Sequence, residues 1–195
     1  RSKGIRLVKD FGLDIFYIAF NMQDDTVGAP VKFKNPKLEA NREEELIRRR
    51  KLRQAMSLAI DSGEYIRIFF NDLGVRAQSP LPPGIIGYDP DYQNPYRQYD
   101  PDLKFARQLL EEAGYQNGID PKTGNPLQMT FDTGSIDTKT RVLFNFYIDS
   151  WKRLGLDVEL AATDYNKFQE KMQNGNYQVF SWGWIADYPD PENFL

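Results

Sequence analysis

Residues 127–162 read L-Q-M-T-F-D-T-G-S-I-D-T-K-T-R-V-L-F-N-F-Y-I-D-S-W-K-R-L-G-L-D-V-E-L-A-A, and they decide the fold class. Residues 127–132 and 157–162 are short and apolar enough to form strands. Between them, residues 136–154 set Leu143, Phe146, Tyr147, Trp151 and Leu154 on one side of a helix. A crossover of that length joins two parallel strands with right-handed connection.

The same alternation continues toward the C-terminal end. Thr163 or Asp164 is placed to cap a short helix with Phe168 and Met172 facing inward, Gly175 closes it, and residues 177–184 form a further strand. Toward the N-terminus, residues 14–22 (D-I-F-Y-I-A-F-N-M) read as a buried strand leaving into Gly, Pro and Asn punctuation. Residues 43–61 carry Leu52, Ala55, Met56, Ala59 and Ile60 at helical spacing, and a second helix is expected over residues 64–70. Residues 79–100 hold prolines and tyrosines without either period and read as an ordered surface crossing. Asp100 as N-cap, Pro101 at the first helical position and Gly114 past the end then frame a helix that turns Leu103, Ala106 and Leu110 inward. Strands alternating with helices define the α/β class.

Composition restricts the chemistry. The 195 residues contain no His and no Cys, so imidazole relays, imidazole metal sites, thiol nucleophiles, zinc knuckles and disulfides are absent. A net charge of −3 gives no basic footprint for nucleic acid. No apolar run approaches the roughly 20 residues that span a bilayer, and no Gly-rich phosphate loop of usual spacing occurs.

The remaining motifs have plain structural readings. Asp132-Thr133-Gly134-Ser135 matches the string of aspartic proteases, but a carboxylate activates water there only when a second one shares its proton. A turn leading into the next helix is the simpler reading, and a dimeric hydrolase built on Asp132 is the alternative. Arg48, Arg49, Arg50, Lys51 and Arg53 follow Glu44 and Glu45 at helical spacing and read as a salt-laced outer face. Asp89, Asp91 and Asp100, and the run Asp120 to Pro126, are turn and cap formers without calcium-loop spacing.

The C-terminal stretch W-G-W-I-A-D-Y-P-D-P-E-N-F-L, residues 182–195, carries the functional signal. On a strand, Phe180, Trp182 and Trp184 share one face. Asp187 follows at the carboxyl end of that strand, where ligands sit in open α/β sheets. Pro189 and Pro191 stiffen the backbone beyond it. A held carboxylate beside an indole suits a ligand ammonium. The chain opens without Met and stops on this stretch, which leads us to expect a piece of a longer protein.

These residues carry a resemblance. The chain resembles the second large lobe of the family 5 extracellular solute-binding proteins, the peptide, dipeptide and nickel receptors of ABC importers. The likeness rests on L-R-Q-A-M-S-L-A-I-D (52–61), P-L-P-P-G with G-Y-D (80–89), Y-D-P leading to L-L-E-E-A-G-Y (99–115), W-K-R-L-G-L (151–156) and W-I-A-D-Y-P-D-P (184–191).

The resemblance implies a periplasmic-binding-protein-like lobe of type II, a mixed sheet flanked by helices, with residues 1–195 forming one α/β lobe of a two-lobed clamp. It implies a binding protein, neither an enzyme nor a holder of cofactor or metal. Its partners would be a peptide or other small solute, the missing N-terminal lobe and an ABC permease. The receptor would be monomeric and periplasmic or extracellular, with a lipoprotein anchor as one form. Asp187 would pair with the ligand's α-amino group, Trp184 would wall its pocket, and Trp182, Ile185 and Ala186 would complete the site. Some oligopeptide receptors place arginines shortly before this motif to meet the ligand carboxylate; here the matching places are Met172 and Ser181. Nickel complexes, oligosaccharides and opines therefore stay open as ligands, and a peptide-binding module without a transport role is a further alternative.

Overall fold

The computed structural model describes residues 10–94 and 103–195. In chain order the elements are β1 (Asp14–Phe20), α1 (Pro36–Glu39), α2 (Arg42–Leu58), α3 (Ser62–Phe70), α4 (Lys104–Glu112), β2 (Gln128–Thr133), α5 (Thr138–Lys152), β3 (Asp157–Ala162), α6 (Tyr165–Gln173) and β4 (Val179–Ile185). The sheet order is β1-β4-β2-β3. Strand β2 runs parallel to β3 and to β4, as the crossover length requires. Strand β1 joins β4 antiparallel, with Asp14 opposite Ile185 and Phe20 opposite Val179, so the sheet is mixed.

Alternation along the strands sorts side chains onto two layers. Met129, Phe131, Val158 and Val179 face α2, α4 and α5, and with Leu52, Met56, Leu110, Ile148 and Trp151 they make the core. Trp151 is fully buried; its ring meets Phe131 edge-on at 5.2 Å and its Nε1 donates to the Met56 carbonyl at 3.1 Å. That carbonyl lies in the last turn of α2, where no intrahelical donor remains, so the indole acts as a cap from another element. The opposite face of the sheet carries Asp132, Phe180 and Trp182 and is covered by α6 through Phe168 and Lys171.

Several helix ends follow the sequence. Asp164 accepts from the Lys167 backbone N–H as the N-cap of α6, whereas α3 starts two residues earlier than expected, at Ser62, with Asp61 accepting from the Glu64 N–H as its cap. Gly114 and Gly175 sit at positive φ just past α4 and α6. Gly155, past α5, is held for a second reason: an added Cβ would stand 2.1 Å from the Asn117 carbonyl oxygen, because its backbone abuts the turn at Gln116–Gly118. The hairpin between Ile119 and Pro126 and the turn in which Asp89 accepts from the Asp91 N–H are turn chemistry as expected.

Other expectations are corrected. Strand β1 ends at Phe20 and is an edge strand, half exposed: Phe16 is 66% accessible, while Ile18 and Phe20 pack on the core. Asn21 ends it, its Nδ2 donating to the Gly175 and Tyr177 carbonyls. The helix expected from Pro101 begins at Lys104, with Leu103 at φ 53°; Asp100 and Pro101 lie outside the described residues. Residues 79–94 form turns without helix or strand, and the rest of that crossing is likewise outside them.

The basic run is only in part a solvated face: Arg50 is exposed, but three of the arginines turn toward loop carbonyls. Arg49 is 3% accessible, donating to the Asp25 and Glu45 carbonyls and paired with the Glu45 carboxylate. Arg48 reaches the Ala113 carbonyl at the end of α4, and Arg53 the Val27 and Gly28 carbonyls. Guanidinium forks satisfy loop carbonyls that no helix or strand could reach, so these arginines turn inward while the Glu45–Arg49 pair still forms at the expected i,i+4 spacing. Burial pushes the Glu45 carboxyl up, but Arg49 and Arg48 outweigh it and hold it below the ordinary carboxylate value.

Candidate functional site

Strand β4 sets the geometry of the proposed pocket. Its Trp182 and Trp184 share the face that β1 lines with Tyr17 and Ile15, their cross-strand partners. Trp182 is half buried against Phe168 at 5.0 Å, with Tyr165 at 6.2 Å edge-on and Phe180 at 6.4 Å. Trp184, one pleat further on, is 44% accessible, and Ile185 points out on the opposite face. The two indoles therefore differ: Trp182 is packed wall, Trp184 is offered surface.

Beyond β4 the backbone is held in place. The Ala186 N–H donates to the Leu13 carbonyl at 2.8 Å, extending the pairing with the β1 side by one residue. The Asp187 N–H donates to Asn193 Oδ1 at 3.3 Å, and Asn193 Nδ2 returns to the Tyr188 carbonyl. Asp190 caps the short turn Pro191–Asn193, and the Tyr188 hydroxyl bonds Glu192. The Asp187 carboxylate itself is exposed, and among the described residues it has no cationic partner. This constellation presents an unengaged acid on a fixed loop beside an accessible indole, at the end of the sheet where the parallel strands terminate.

Other candidates fall elsewhere. Ser181 lies on the face away from Trp182, opposite Ile18 of β1, and Met172 is half buried on α6. Asp132 is fully buried in β2, with Lys171 Nζ donating to Oδ1 and Thr130 Oγ1 3.4 Å from Oδ2. Burial pushes its carboxyl up, and Lys171 opposes the shift. The group facing it is a cation, not the second carboxylate that acid-protease chemistry needs, so nothing favours hydrolysis. Sequence reasoning did not pair Asp132 with Lys171, nor Tyr165 with Trp182. The signal was present in α6, where Tyr165, Phe168 and Lys171 to Met172 recur at helical spacing. No group of metal-ligating side chains occurs among the described residues.

An open mixed sheet with helices on both faces is the architecture of a binding-protein lobe. The profile of the bacterial extracellular solute-binding proteins, family 5 (middle), matches residues 2–195, and the chain belongs to that family. The chain is 29% identical over 191 residues to heme-binding protein A of Haemophilus influenzae, covering 98% of this chain and 30% of that protein. It is 25% identical over 196 residues to the dipeptide-binding protein of Escherichia coli, covering 100% and 31%. The periplasmic binding protein DppA from Helicobacter pylori, solved with the peptide STSA, superimposes with a TM-score of 0.69 at 26% identity, over 94% of this chain and 29% of that one. The chain thus spans about 30% of the length of the curated relatives it matches.

Proposed function

We propose that this chain is one lobe of a two-lobed receptor that captures peptides for an ABC importer, outside the cytoplasmic membrane. The observation that carries this reading is the unengaged Asp187 carboxylate on its held loop beside the exposed Trp184 indole. Asp187 pairs with the ligand's amino group, Trp184 walls the neighbouring pocket, and Trp182 backs it from the packed side. Ile185 and Ala186 set the carboxylate's distance from the sheet. The exposure of Asp187 in this lobe fits a clamp whose other lobe supplies the closing surface.

The test is calorimetric titration of the full-length receptor and its Asp187→Asn variant with a set of di- to pentapeptides. Losing a charge partner that becomes buried on closure costs roughly 2–5 kcal/mol of binding. Affinity equal to the parent's would remove Asp187 from the role. A ligand bound by both forms but lacking an amine would redirect the reading toward another solute class.

A further inference from the structure

The Asp132-Thr133-Gly134-Ser135 string, which has no hydrolytic role to fill, meets α6 at two points behind the aromatic wall. Asp132 is fully buried on β2, on the sheet face that carries Phe180 and Trp182, and Lys171 of α6 donates to its Oδ1. Two residues further on, Gly134 leaves room for the helix. A Cβ there would stand 3.0 Å from a ring carbon of Phe168 and 3.1 Å from one of Tyr165. These are the two α6 rings that meet Trp182, at 5.0 and 6.2 Å.

Apolar burial alone fastens α6 loosely. Phe168 is the one residue of this nine-residue helix that is buried. A single apolar anchor is non-directional and lets the helix roll about its axis. Tyr165, Phe168 and Lys171 follow one another at intervals of three and lie along one side of α6, so its roll decides how both rings meet the indole. Lys171 gives the helix a second point of attachment, and a charge-assisted hydrogen bond has the directionality that the ring contact lacks. Two charges taken out of water gain little net stability by meeting, yet a buried Asp132 stripped of its cation is costly. The pair therefore opposes rotation more than it adds to the stability of the fold.

We infer that Asp132 and Lys171 are positioning residues for the ligand pocket: they fix the roll of α6, and through Tyr165 and Phe168 they fix Trp182, the wall behind Trp184. This rests on the peptide site proposed above. Neither residue has to touch the ligand, since both act through α6.

The full-length receptor is labelled with fluorotryptophan, and the Trp182 fluorine resonance is assigned by its loss in Trp182→Phe. Asp132→Leu combined with Lys171→Met replaces the pair by apolar groups of similar size, an exchange that buried ion pairs often accept without loss of stability. Gly134→Ala crowds the same two rings from the sheet and keeps the pair. Lys171→Arg keeps the charge. The double variant should unfold at the parent's temperature or above, shift the Trp182 resonance but not that of Trp151, and bind di- to pentapeptides about fivefold or more weakly. Gly134→Ala should move the same resonance, and Lys171→Arg should retain the parent's resonance and affinity. A folded double variant with an unchanged Trp182 resonance overturns the inference, as does a shifted resonance with the parent's peptide affinity. A double variant that fails to fold assigns the pair to stability and overturns it as well. A parent that binds no peptide overturns the peptide reading instead, and the Trp182 resonance then still decides whether the pair positions the wall.

Discussion

Glu45 shows how a single residue makes stability depend on pH. Its folded-state carboxyl lies below the ordinary value because Arg49 and Arg48 overcome the effect of burial. A depressed carboxylate contributes stability above its unfolded pKa, near 4.5, and that contribution is lost as pH falls through the folded value. Asp132 has the opposite sign: burial raises its carboxyl, so acidification toward the unfolded value relieves a cost. Urea denaturation between pH 7 and pH 3 should therefore show a steeper acid loss in the parent than in Glu45→Gln. Identical pH slopes would mean that Glu45 is not held by its arginines. Trp151 offers a second residue-scale test. Trp151→Phe removes the donor to the Met56 carbonyl and opens space beside Phe131, at a cost of about 2–4 kcal/mol. A loss below 1 kcal/mol in the same denaturation assay would show that the indole N–H is dispensable.

At the scale of elements, the joint between α5 and the turn at Gln116–Gly118 is closed by backbone rather than side chains. Gly155 has φ +85°, and a Cβ there would meet the Asn117 carbonyl at 2.1 Å, whereas Gly124, at φ +73°, has nothing within 4 Å. Gly124→Ala should cost about 1–2 kcal/mol for left-handed backbone alone. Gly155→Ala should cost clearly more, because the clash forces two chain segments apart. Equal midpoints in thermal unfolding would contradict the close approach. The L-G-L of residues 154–156 was visible in the sequence as a motif, but its reason is a tertiary contact that no local pattern encodes. The same limit explains the arginines of α2. Their spacing behind Glu44 and Glu45 is indistinguishable from a surface salt ladder until the loop at Val27 to Pro30 is folded against them. By contrast, the β2-α5-β3 unit was legible throughout, since strand alternation, a helical stripe and crossover length all agree there. The candidate site was legible as residues but not as a surface. Alternation put Trp182 and Trp184 on one face, while only α6 decides that Trp182 is covered and Trp184 is not.

For the whole molecule, long-range ties decide whether the sheet is complete. Asn21 joins the end of β1 to the loop between α6 and β4, donating to Gly175 and Tyr177 and accepting from the Gln23 N–H with its Oδ1. Asn21→Ala should leave these carbonyls unpaired in a site 6% accessible and cost about 2–4 kcal/mol. Hydrogen exchange should then rise most in β1 and β4 while β2 and β3 keep their protection. Uniform acceleration across the sheet would show instead that the whole lobe unfolds as one unit without a weaker edge.

The antiparallel pairing of β1 with β4 also sets a clock during synthesis. The partner of Phe20 is Val179, made about 160 residues later. At the usual rate of ribosomal elongation that interval is roughly ten to thirty seconds. Throughout it the nascent Ile15-Phe16-Tyr17-Ile18-Ala19-Phe20 lacks the strand it pairs with among the described residues and offers an edge for pairing with another chain. Slowing translation late in the message should therefore raise the aggregated fraction more than slowing it early, because only the late delay prolongs the wait of an already finished β1.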